Sequence, residues 1–275
     1  MHYDPIKKVF GDAVRKNPQF RILFYKLLGI MFLREWHVKR ELRKQLGSRN
    51  KPFAVYDAGS GFGQYSYYIA KHYPFASIYG IDLKDEQVSD CNNFFRSVGL
   101  AHCSFAVEDL TQIQHSDKFD FILSVDVMEH IPDDIGVFRN FFRALKSGGT
   151  LLINTPSNLG GSDAHSDEEE SFIGEHARNG YGREEIRKKL ESAGFKVESI
   201  RYTYGPWGDR YWKLGIKYPM QMLNRSKIFF VLLPFYYIIA LPLILPMMCL
   251  DYHAKNTTGT GLNVLARKTC PTKDA

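Results

Sequence analysis

The chain alternates short apolar runs with segments of helical period between residues 52 and 203. Such alternation indicates repeated β-strand and α-helix units built around a parallel sheet. The run Phe119–Val125 is almost wholly apolar, as expected for a strand buried on both faces. We therefore predict an α/β fold with these strands: Phe53–Tyr56, Ser77–Asp82, Cys103–Val107, Phe119–Val125, Thr150–Asn154, Phe195–Tyr202 and Gly261–Arg267.

Apolar residues three or four positions apart predict helices between these strands. The first is Phe62–Lys71, and the last is Arg183–Ala193, which Gly194 caps. Two further helices are marked by one apolar face each: Val88, Cys91, Phe95 and Val98 before Gly99, and Ile135, Phe138, Phe142 and Leu145 before Gly148-Gly149. A glycine after the apolar pattern is the usual sign of a helix C-terminus.

Two segments fall outside this alternation. Pro18–Leu46 is strongly helical, with apolar positions among basic residues, and Ile228–Leu250 has 23 residues without a charge. They divide the chain into a basic helical segment (1–50), a core (51–204), a hydrophobic insert (205–258) and a last strand with a tail (259–275). At 275 residues, the chain is long enough for one α/β domain with such additions.

The net charge of +6 is concentrated near the N-terminus. Residues 1–50 hold 12 Lys and Arg against 4 Asp and Glu, so this segment carries +8 and the remainder −2. A basic block favours an anionic partner, either a membrane surface or a nucleic acid, although a solvated helix face has the same composition. The four cysteines have neither metal-ligand spacing nor a disulfide framework, which favours a reducing cytoplasm and predicts no metal site.

The stretch Val55–Gly63 carries the most specific chemical signal. An apolar strand ends in Asp57, and glycines follow at alternate positions, where a ligand could approach the backbone beside a helix N-terminus. A pyrophosphate fingerprint reads G-x-G-x-x-G, whereas this stretch reads G-x-G-x-G after an acid. A carboxylate there would repel a diphosphate and attract a cation, such as the ammonium and sulfonium of S-adenosylmethionine (SAM).

Further motifs follow in order: GID at Gly80–Asp82, EDL at Glu108–Leu110, SVDVMEHI from Ser124 and LKSGGTLLINTPSN from Leu145. Together with DAGSGFG, this series resembles the ordered motifs of class I SAM-dependent methyltransferases, nearest to the branch that methylates quinone precursors and other small or lipid substrates. The resemblance covers about residues 52–203. It implies a Rossmann-like, seven-stranded methyltransferase sheet and SAM as the cofactor.

The same resemblance implies roles around the cofactor. Asp57 and the amides of Gly59 and Gly61 would hold the methionine end of SAM, and Asp82 would accept hydrogen bonds from the ribose hydroxyls. The remaining cofactor positions are Leu83, Asp109 near the adenine amino group, Leu110 packed on the ring, and Asp126 with Val127 closing the pocket. A plain cap or turn role is a fair rival for Asp109 and a weaker one for Asp57 and Asp82 together.

Methyl transfer from a sulfonium needs alignment of the acceptor and, for some acceptors, removal of a proton. The candidate bases are His130, His165 and His176, of which we favour His176. His130 belongs to a Glu-His pair that the resembled superfamily carries after strand four, where a structural role is as compatible as catalysis. His165 lies in an acidic loop that could form a lid, and Arg178 and Tyr181 could bind a phenolate or carboxylate beside His176.

The uncharged run Ile228–Leu250 within the insert is long enough to span a bilayer as a helix of ~35 Å. In the resembled family the last strand pairs antiparallel with the sixth, so both ends of the insert must lie on one side of a membrane. Pro234, Pro242 and Pro246 are also expected to break a straight helix. We expect a monotopic or re-entrant element on the inner face of a membrane, with a buried lid or a dimer interface as alternatives.

Trp207, Tyr211 and Trp212 precede this uncharged run, among basic residues, and are expected at the membrane interface. The first functional hypothesis is O-methylation of a lipophilic small molecule, such as a lipid, quinone or polyene precursor, with N-methylation of a lipid amine as the alternative. A non-catalytic, membrane-associated SAM-fold subunit is a rival that the intact glycine turn disfavours. A nucleic-acid methyltransferase is disfavoured too, because the chain lacks an Asn-Pro-Pro-Tyr type of base-clamping motif after strand four.

Overall fold

A computed structural model describes residues 17–160, 177–226 and 228–269. The strands are β1 (Phe53–Ala58), β2 (Ala76–Asp82), β3 (Cys103–Val107), β4 (Phe119–Val125), β5 (Leu145–Pro156), β6 (Phe195–Thr203) and β7 (Gly261–Lys268). The helices are α1 (Pro18–Met31), α2 (Leu33–Leu46), α3 (Gln64–His72), α4 (Asp85–Ser97), α5 (Asp134–Ala144), α6 (Arg183–Ser192), α7 (Pro206–Trp212), α8 (Tyr218–Arg225) and α9 (Phe229–His253).

The strands form one sheet in the order β3-β2-β1-β4-β5-β7-β6, with β7 antiparallel to both of its neighbours. The chain reverses its direction of travel across the sheet between β1 and β4, which leaves a crevice at the carboxyl ends of these strands. Open α/β sheets bind their ligands in such a crevice. The predicted Rossmann-like sheet of seven strands, with N-terminal helices and a hydrophobic insert between the last two strands, is confirmed.

An apolar core lies on each face of the sheet, because successive residues of a strand point to opposite faces. Tyr56 belongs to the core that contains Phe138 and Phe141 of α5. Its neighbour Val55 belongs to the other core, together with Ile69 of α3. The sheet is therefore buried on both faces, and the open edge formed by its strand ends is left for the site.

The boundary between α5 and β5 differs from the prediction. We expected Leu145 on a helix face and Gly148 at the end of that helix, but α5 ends at Ala144 and Leu145 begins β5. Leu145 pairs with Phe119 of β4, so strand pairing prevails over helical periodicity at this residue.

Helix α1 is attached to the glycine-rich turn through a buried arginine. Arg21 Nη2 donates a hydrogen bond to the Phe62 carbonyl oxygen at 2.7 Å, and its Nη1 pairs with Asp90 Oδ2 at 2.7 Å. Its Nε donates to the Tyr25 hydroxyl at 2.7 Å, and that hydroxyl donates to the same Phe62 oxygen. The N-terminal helix therefore supports the turn that follows β1.

The insert forms a helical hairpin. Helix α7, a π-helical turn (Lys213–Lys217) and helix α8 follow one another without a break, and α9 returns antiparallel to them. Both ends of the hairpin join the sheet at paired positions, since Thr203 of β6 lies opposite Gly261 of β7. The expected antiparallel pairing of the last strand with the sixth is confirmed.

The three prolines do not break α9, contrary to the prediction. The helix is continuous from Phe229 to His253, and Pro234, Pro242 and Pro246 all lie on its exposed side. The residues of α9 that are buried are Ala240, Ile244, Met248 and Asp251. Packing of this stripe against the rest of the protein offsets the backbone hydrogen bonds that the prolines remove.

The π-helical turn gives α9 two carbonyl groups to bind. The Tyr237 hydroxyl donates to the Gly215 carbonyl oxygen at 2.8 Å, and the Tyr236 hydroxyl donates to that of Leu214. A π-turn departs from the usual α-helical bonding pattern, so these carbonyls can accept side-chain donors. Gly215 also permits close contact, because a Cβ there would lie 3.0 Å from the Tyr211 ring.

Tyr211 was expected at a membrane interface, but this prediction was wrong. It is fully buried, and its hydroxyl donates to the Met31 carbonyl oxygen at the end of α1. Trp207 is 38% exposed, and the Arg210 guanidinium lies 4.8 Å from its ring centroid. The aromatic cluster before α9 is thus divided between a packing role and a surface role.

Asp251, near the end of α9, joins the hairpin to the sheet and to α2. It is fully buried, and its Oδ2 accepts hydrogen bonds from the amides of Gly205 at 2.7 Å and Gly208 at 3.1 Å. Its Oδ1 accepts from the Tyr204 amide at 3.2 Å and lies 3.0 Å from His37 Nε2. Burial alone would raise the pKa of Asp251, but the hydrogen bonds from His37 and the glycine amides hold that pKa below its usual range.

Replacing Asp251 by asparagine is expected to lower the free energy of unfolding by about 3 kcal/mol, because a neutral amide would then face buried donors that the carboxylate satisfies. Urea unfolding followed by circular dichroism measures the change. Asp209→Asn is the matched control, since Asp209 forms a half-exposed ion pair with Lys213, and such pairs contribute at most about 1 kcal/mol. Equal stability of the two variants would mean that the buried contacts of Asp251 do not hold the hairpin.

Candidate active site

The glycine-rich turn between β1 and α3 borders the crevice. Gly59, Gly61 and Gly63 have φ angles of 80°, 52° and 73°, which residues with a Cβ rarely adopt. A Cβ on Gly59 would lie 2.3 Å from Val127 Cγ2, whereas a Cβ on Gly61 would meet no atom of the described residues within 4 Å. Gly59 therefore permits close packing inside the protein, and Gly61 presents bare backbone to open space.

Backbone hydrogen bonds tie this turn to the end of β2. The Gly59 amide donates to the Ile81 carbonyl oxygen at 3.0 Å, and the Gly61 amide donates to Asp82 Oδ2 at 3.1 Å. Asp82 Oδ1 accepts a further bond from the Lys84 amide at 3.0 Å. The acid predicted for the ribose thus lies directly beside the turn predicted for the methionine end.

Asp57, at the end of β1, is buried beneath the turn and does not line the crevice. Its Oδ2 accepts a hydrogen bond from Ser66 Oγ at 2.6 Å, and the Ser66 amide adds another, so Asp57 caps the first turn of α3. Burial, reinforced by the charge of Asp82 and opposed by the Ser66 hydrogen bonds, raises the pKa of Asp57 to about 6. A cation bound above the turn would be attracted by this carboxylate from below.

The crevice has a volume of about 430 Å³, within the range of small-molecule sites. It is formed where the ends of β1, β2, β3 and β4 meet. The predicted site residues that line it are Gly59, Gly61, Asp82, Leu83, Asp109, Leu110, Asp126, Val127 and His130. The structure therefore brings together all the positions predicted for the cofactor except Asp57.

At the β3 end of the crevice, Asp109 stabilises its own turn. Its Oδ1 accepts hydrogen bonds from the Thr111 amide and the Thr111 hydroxyl, both at 2.8 Å. This is the turn role that competes with adenine binding in the sequence analysis. Its neighbour Glu108 accepts from the hydroxyls of Tyr79 at 2.5 Å and Tyr56 at 3.2 Å, so hydrogen bonds hold this side of the crevice in place.

At the β4 end, Asp126 forms an ion pair that sequence reasoning missed. Asp126 has a φ angle of 51°, a sparsely populated conformation that clusters at functional sites. Its carboxylate pairs with Arg34 of α2, and Tyr65, which also lines the crevice, lies beside Arg34. No motif or spacing relates Arg34 to Asp126, because the two belong to distant parts of the chain.

None of the residues predicted to bind the substrate lines the crevice in the described part of the chain. His165 and His176 lie outside the described residues. Arg178 and Tyr181 do not line the crevice but converge on Asp134 at the start of α5. The Tyr181 hydroxyl donates to Asp134 Oδ2 at 2.8 Å, and Arg178 pairs with the same carboxylate. Their contact with a substrate stays a prediction.

A sheet of this order, with a glycine turn after β1, an acid after β2 and a small-molecule crevice between them, defines the class I SAM-dependent methyltransferase fold. A family model described as a methyltransferase domain matches residues 50–194, which is more than half of the chain. The chain belongs to this family of methyltransferase domains.

Similar proteins include phosphoethanolamine N-methyltransferase 1 of Triticum aestivum, 35% identical over 147 residues, and the chloroplastic tocopherol O-methyltransferase of Arabidopsis thaliana, 30% identical over 156 residues. The matches cover 51% and 56% of this chain but only 28% and 41% of those relatives, so the chain spans less than half the length of either. Among solved structures, phosphoethanolamine N-methyltransferase 2 of Haemonchus contortus in complex with S-adenosyl-L-methionine has a TM-score of 0.62 at 19% identity, with 95% of this chain and 59% of that chain covered.

The described residues fit SAM as the cofactor. Gly61 leaves its side of the crevice free of side-chain atoms, and the buried Ser60 hydroxyl beside it has no hydrogen-bond partner among the residues described. Asp57 below the turn and Asp82 at its side supply negative charge for a cationic ligand that carries a ribose. The sulfonium of bound SAM supplies an activated methyl group.

The affinity for SAM is expected to rise with pH through about pH 6. The ammonium group of SAM favours the ionised form of Asp57, whose pKa without the ligand is about 6, so binding below that pH releases a proton. Each pH unit below the pKa should weaken binding by up to about tenfold. Isothermal titration between about pH 5 and pH 8 measures this, and Asp57→Asn should remove the dependence. A flat profile for the unchanged protein would leave Asp57 only its role as a helix cap.

Gly59→Ala and Gly61→Ala are expected to separate packing from ligand access. Both place an alanine at positive φ, which costs ~1–2 kcal/mol. Gly59→Ala adds the clash with Val127 and should lower the melting temperature further. Gly61→Ala should keep most of the stability but weaken SAM binding about tenfold or more, because its methyl group enters the crevice. Unchanged affinity in a folded Gly61→Ala protein would exclude Gly61 from the cofactor site.

Proposed function

We propose that this protein transfers a methyl group from SAM to an oxygen atom of a lipophilic small molecule at a membrane surface. In this proposal the crevice holds SAM, and the acceptor approaches from the β4 end, where Asp126 and His130 lie. The proposed cofactor contacts are Asp57, Gly59 and Gly61 for the methionine end, Asp82 and Leu83 for the ribose, and Asp109 and Leu110 for the adenine.

The observation that carries the proposal is that one helix connects the crevice to the hairpin. Helix α2 contributes Arg34, whose side chain pairs with Asp126 in the crevice and whose amide donates to the Tyr204 hydroxyl at 3.1 Å. The same helix contributes His37, which contacts Asp251 of α9. An acceptor held against the hairpin would therefore lie close to the methyl donor.

The outer face of α9 supplies a large apolar surface. Helix α9 is long and apolar enough to cross a membrane, yet only 11% of its most apolar stretch is buried. Its exposed apolar residues include Phe230, Val231, Leu232, Phe235, Ile238, Ile239, Leu243 and Leu250. Proteins rarely leave so large an apolar patch in contact with water, and a lipid surface would cover it.

The first arm of the hairpin, which consists of α7, the π-helical turn and α8, carries charged residues. These favour a hairpin that lies in the membrane interface rather than one that crosses the bilayer. Asp209, Arg210 and Lys213 lie on this arm, and charged groups are costly inside the hydrocarbon layer. Helix α1 adds an exposed apolar stripe of Phe20, Leu23, Leu27 and Ile30. It belongs to the basic N-terminal segment, which anionic lipid would attract.

N-methylation of a lipid amine is the second candidate. The carboxylate of Asp126 lines the β4 end of the crevice, where it would attract a protonated amine. The amine must lose that proton before its nitrogen can accept the methyl group. The Triticum aestivum relative is named for transfer to nitrogen and the Arabidopsis thaliana relative for transfer to oxygen, so the names of the relatives are compatible with both candidates.

In either reaction a lone pair of the acceptor atom forms a bond to the methyl carbon while the carbon–sulfur bond breaks, and the sulfur keeps the bonding electrons. A neutral acceptor then loses one proton. Among the described residues, His130 lines the crevice and is the candidate that takes this proton. The main task of the protein is to align the acceptor and to exclude water.

The test incubates the protein with methyl-labelled SAM and with vesicles that contain anionic phospholipid and a cell lipid extract, and then locates the label. The protein is expected to float with the vesicles and to label the lipid fraction. A double variant, Ile238→Gln with Ile239→Gln, should reduce both flotation and labelling about tenfold or more, because these side chains are 69% and 72% exposed on α9. Its affinity for SAM should stay unchanged.

Phe75→Gln is the matched control, since Phe75 is 48% exposed and lies before β2, away from the hairpin. A protein that stays in the soluble fraction would contradict membrane contact. Label that appears only in water-soluble products would contradict a lipophilic acceptor, and mass spectrometry of the labelled product distinguishes an O-methyl from an N-methyl group.

A further inference from the structure

Helix α1 has two sides with different surroundings. Its inner side carries the buried residues Arg21 and Tyr25, which contact the glycine-rich turn of the crevice. A helix turns by about 100° per residue, which places a second set of residues on the opposite, outer side. This set is apolar and 42–55% exposed, and we call it the α1 stripe: Phe20, Leu23, Leu27 and Ile30. One helix of 14 residues therefore connects the protein surface to the crevice.

The inner side of α1 holds the backbone of the turn. Arg21 Nη2 donates a hydrogen bond to the Phe62 carbonyl oxygen at 2.7 Å, and the Tyr25 hydroxyl donates to the same oxygen. Arg21 Nη2 also donates to Cys91 Sγ at 3.2 Å, and that thiol donates to the Gly61 carbonyl oxygen at 3.4 Å. Phe62 and Gly61 both line the crevice, so the position of α1 affects the backbone that borders the cofactor.

The charge of Arg21 makes this position specific. The guanidinium is 1% exposed, and its Nη1 pairs with Asp90 Oδ2 of α4 at 2.7 Å. A buried charge is stable only with its full set of partners, and here they lie mainly on the turn and on α4. Helix α1 is therefore either bound to the turn through Arg21 or displaced from it with that charge returned to water.

The stability of α1 depends on contacts outside the helix, because an isolated helix of this length is marginal in water. Its inner side supplies aromatic contacts: the Tyr25 ring lies 5.8 Å from the Phe94 ring, and the Phe24 ring lies 6.3 Å from the Phe62 ring. The α1 stripe adds little stability while water covers it. A surface that buried the stripe would stabilise the helix and, with it, the bound position of Arg21.

A lipid surface with negative charge fits the α1 stripe. Residues 17–34 contain three basic residues and no Asp or Glu, and the basic residue nearest the stripe, Lys26, is exposed. Anionic lipid attracts such a segment, while its apolar side chains enter the boundary of the acyl chains. The end of α1 also contacts the hairpin, since the Tyr211 hydroxyl donates to the Met31 carbonyl oxygen. A membrane that contacts the hairpin would therefore lie near the stripe.

We propose that the α1 stripe lies on an anionic lipid surface, and that this contact tightens cofactor binding because it keeps Arg21 and Tyr25 bound to the glycine-rich turn. The inference rests on the proposed reaction at a membrane and adds its regulation: the crevice binds its cofactor best where a lipophilic acceptor is found. Arg21 and Tyr25 are positioning residues, because they act on the cofactor through the backbone of the turn. Such coupling is reciprocal, so bound cofactor strengthens the membrane contact by the same factor.

The test measures the affinity of the full chain for S-adenosylhomocysteine by isothermal titration, with and without vesicles of phosphatidylcholine and phosphatidylglycerol. This ligand has no net charge, so the vesicles do not attract it directly, and it allows no turnover. Vesicles at a concentration that binds all of the protein are expected to tighten ligand binding about fivefold or more. Equal affinity with and without bound vesicles would overturn the proposal.

A double variant, Leu23→Gln with Leu27→Gln, locates the coupling in the α1 stripe. Its ligand affinity without vesicles should equal that of the unchanged protein, because both side chains lie on the outer side of α1, while the tightening by vesicles should be lost. Phe75→Gln is the matched control, since Phe75 is also exposed and lies before β2, at the end of the sheet opposite to the crevice. Tightening that persists in the double variant would contradict the role of the stripe.

Tyr25→Phe tests the path through the turn. This variant keeps the ring but removes the hydroxyl that donates to the Phe62 oxygen, so ligand affinity on vesicles should fall about fivefold. Its flotation without ligand should be unchanged, because the α1 stripe is intact. Tyr67→Phe is the matched control, since the Tyr67 ring lies 5.3 Å from that of Tyr25. A lower melting temperature with unchanged ligand affinity would make Tyr25 purely structural and overturn its positioning role.

The outcomes separate this proposal from the function on which it rests. A protein that floats with vesicles and binds the ligand equally well in their absence contradicts only the coupling. A protein that binds no ligand contradicts the methyl transfer, and one that does not float contradicts the membrane surface for both proposals. Light scattering tests another occupant: a dimer in solution that the stripe variant converts to a monomer would assign the stripe to a second copy of this chain and overturn the lipid contact.

Discussion

The buried carboxylate of Asp251 is the contact on which the position of the hairpin relative to the sheet and to α2 depends. Strand β7 lies between β5 and β6, so the chain must return to the sheet after the insert. Asp251 makes that return specific, because it binds the amides of Gly205 and Gly208 at the start of the hairpin and the His37 ring of α2. A charge buried in this way is stable only with its full set of donors, so the hairpin, the sheet and α2 have one relative position.

Helix α2 contacts both the crevice and the hairpin. Its first turn places Arg34 beside Asp126 in the crevice, while its middle contacts the end of α9. The β4 end of the crevice is therefore polar, while the outer face of α9 is apolar and exposed. These are the two surfaces that the proposed transfer to a lipophilic acceptor would use.

The strands were predictable from short apolar runs, because burial of a strand leaves a local signal in the sequence. Phe119–Val125 and Cys103–Val107 have the predicted bounds, and the cofactor-side acids lie at strand ends as expected. The errors occur where a distant partner decides the outcome. Leu145 has the period of a helix but pairs with Phe119, and Tyr211 has the composition of an interface residue but is buried against α1.

The sequence by itself determined the succession of strands and helices along the chain, the glycine turn with its acid, and the length of the uncharged run. Each of these depends on neighbours within a few positions of the chain. Only the tertiary structure decided the rest. That α9 stays helical through three prolines and that Arg34 of α2 meets Asp126 at the crevice both follow from contacts between segments far apart in the chain. Such contacts arise when the packed fold brings those segments together, so no local pattern of residues encodes them.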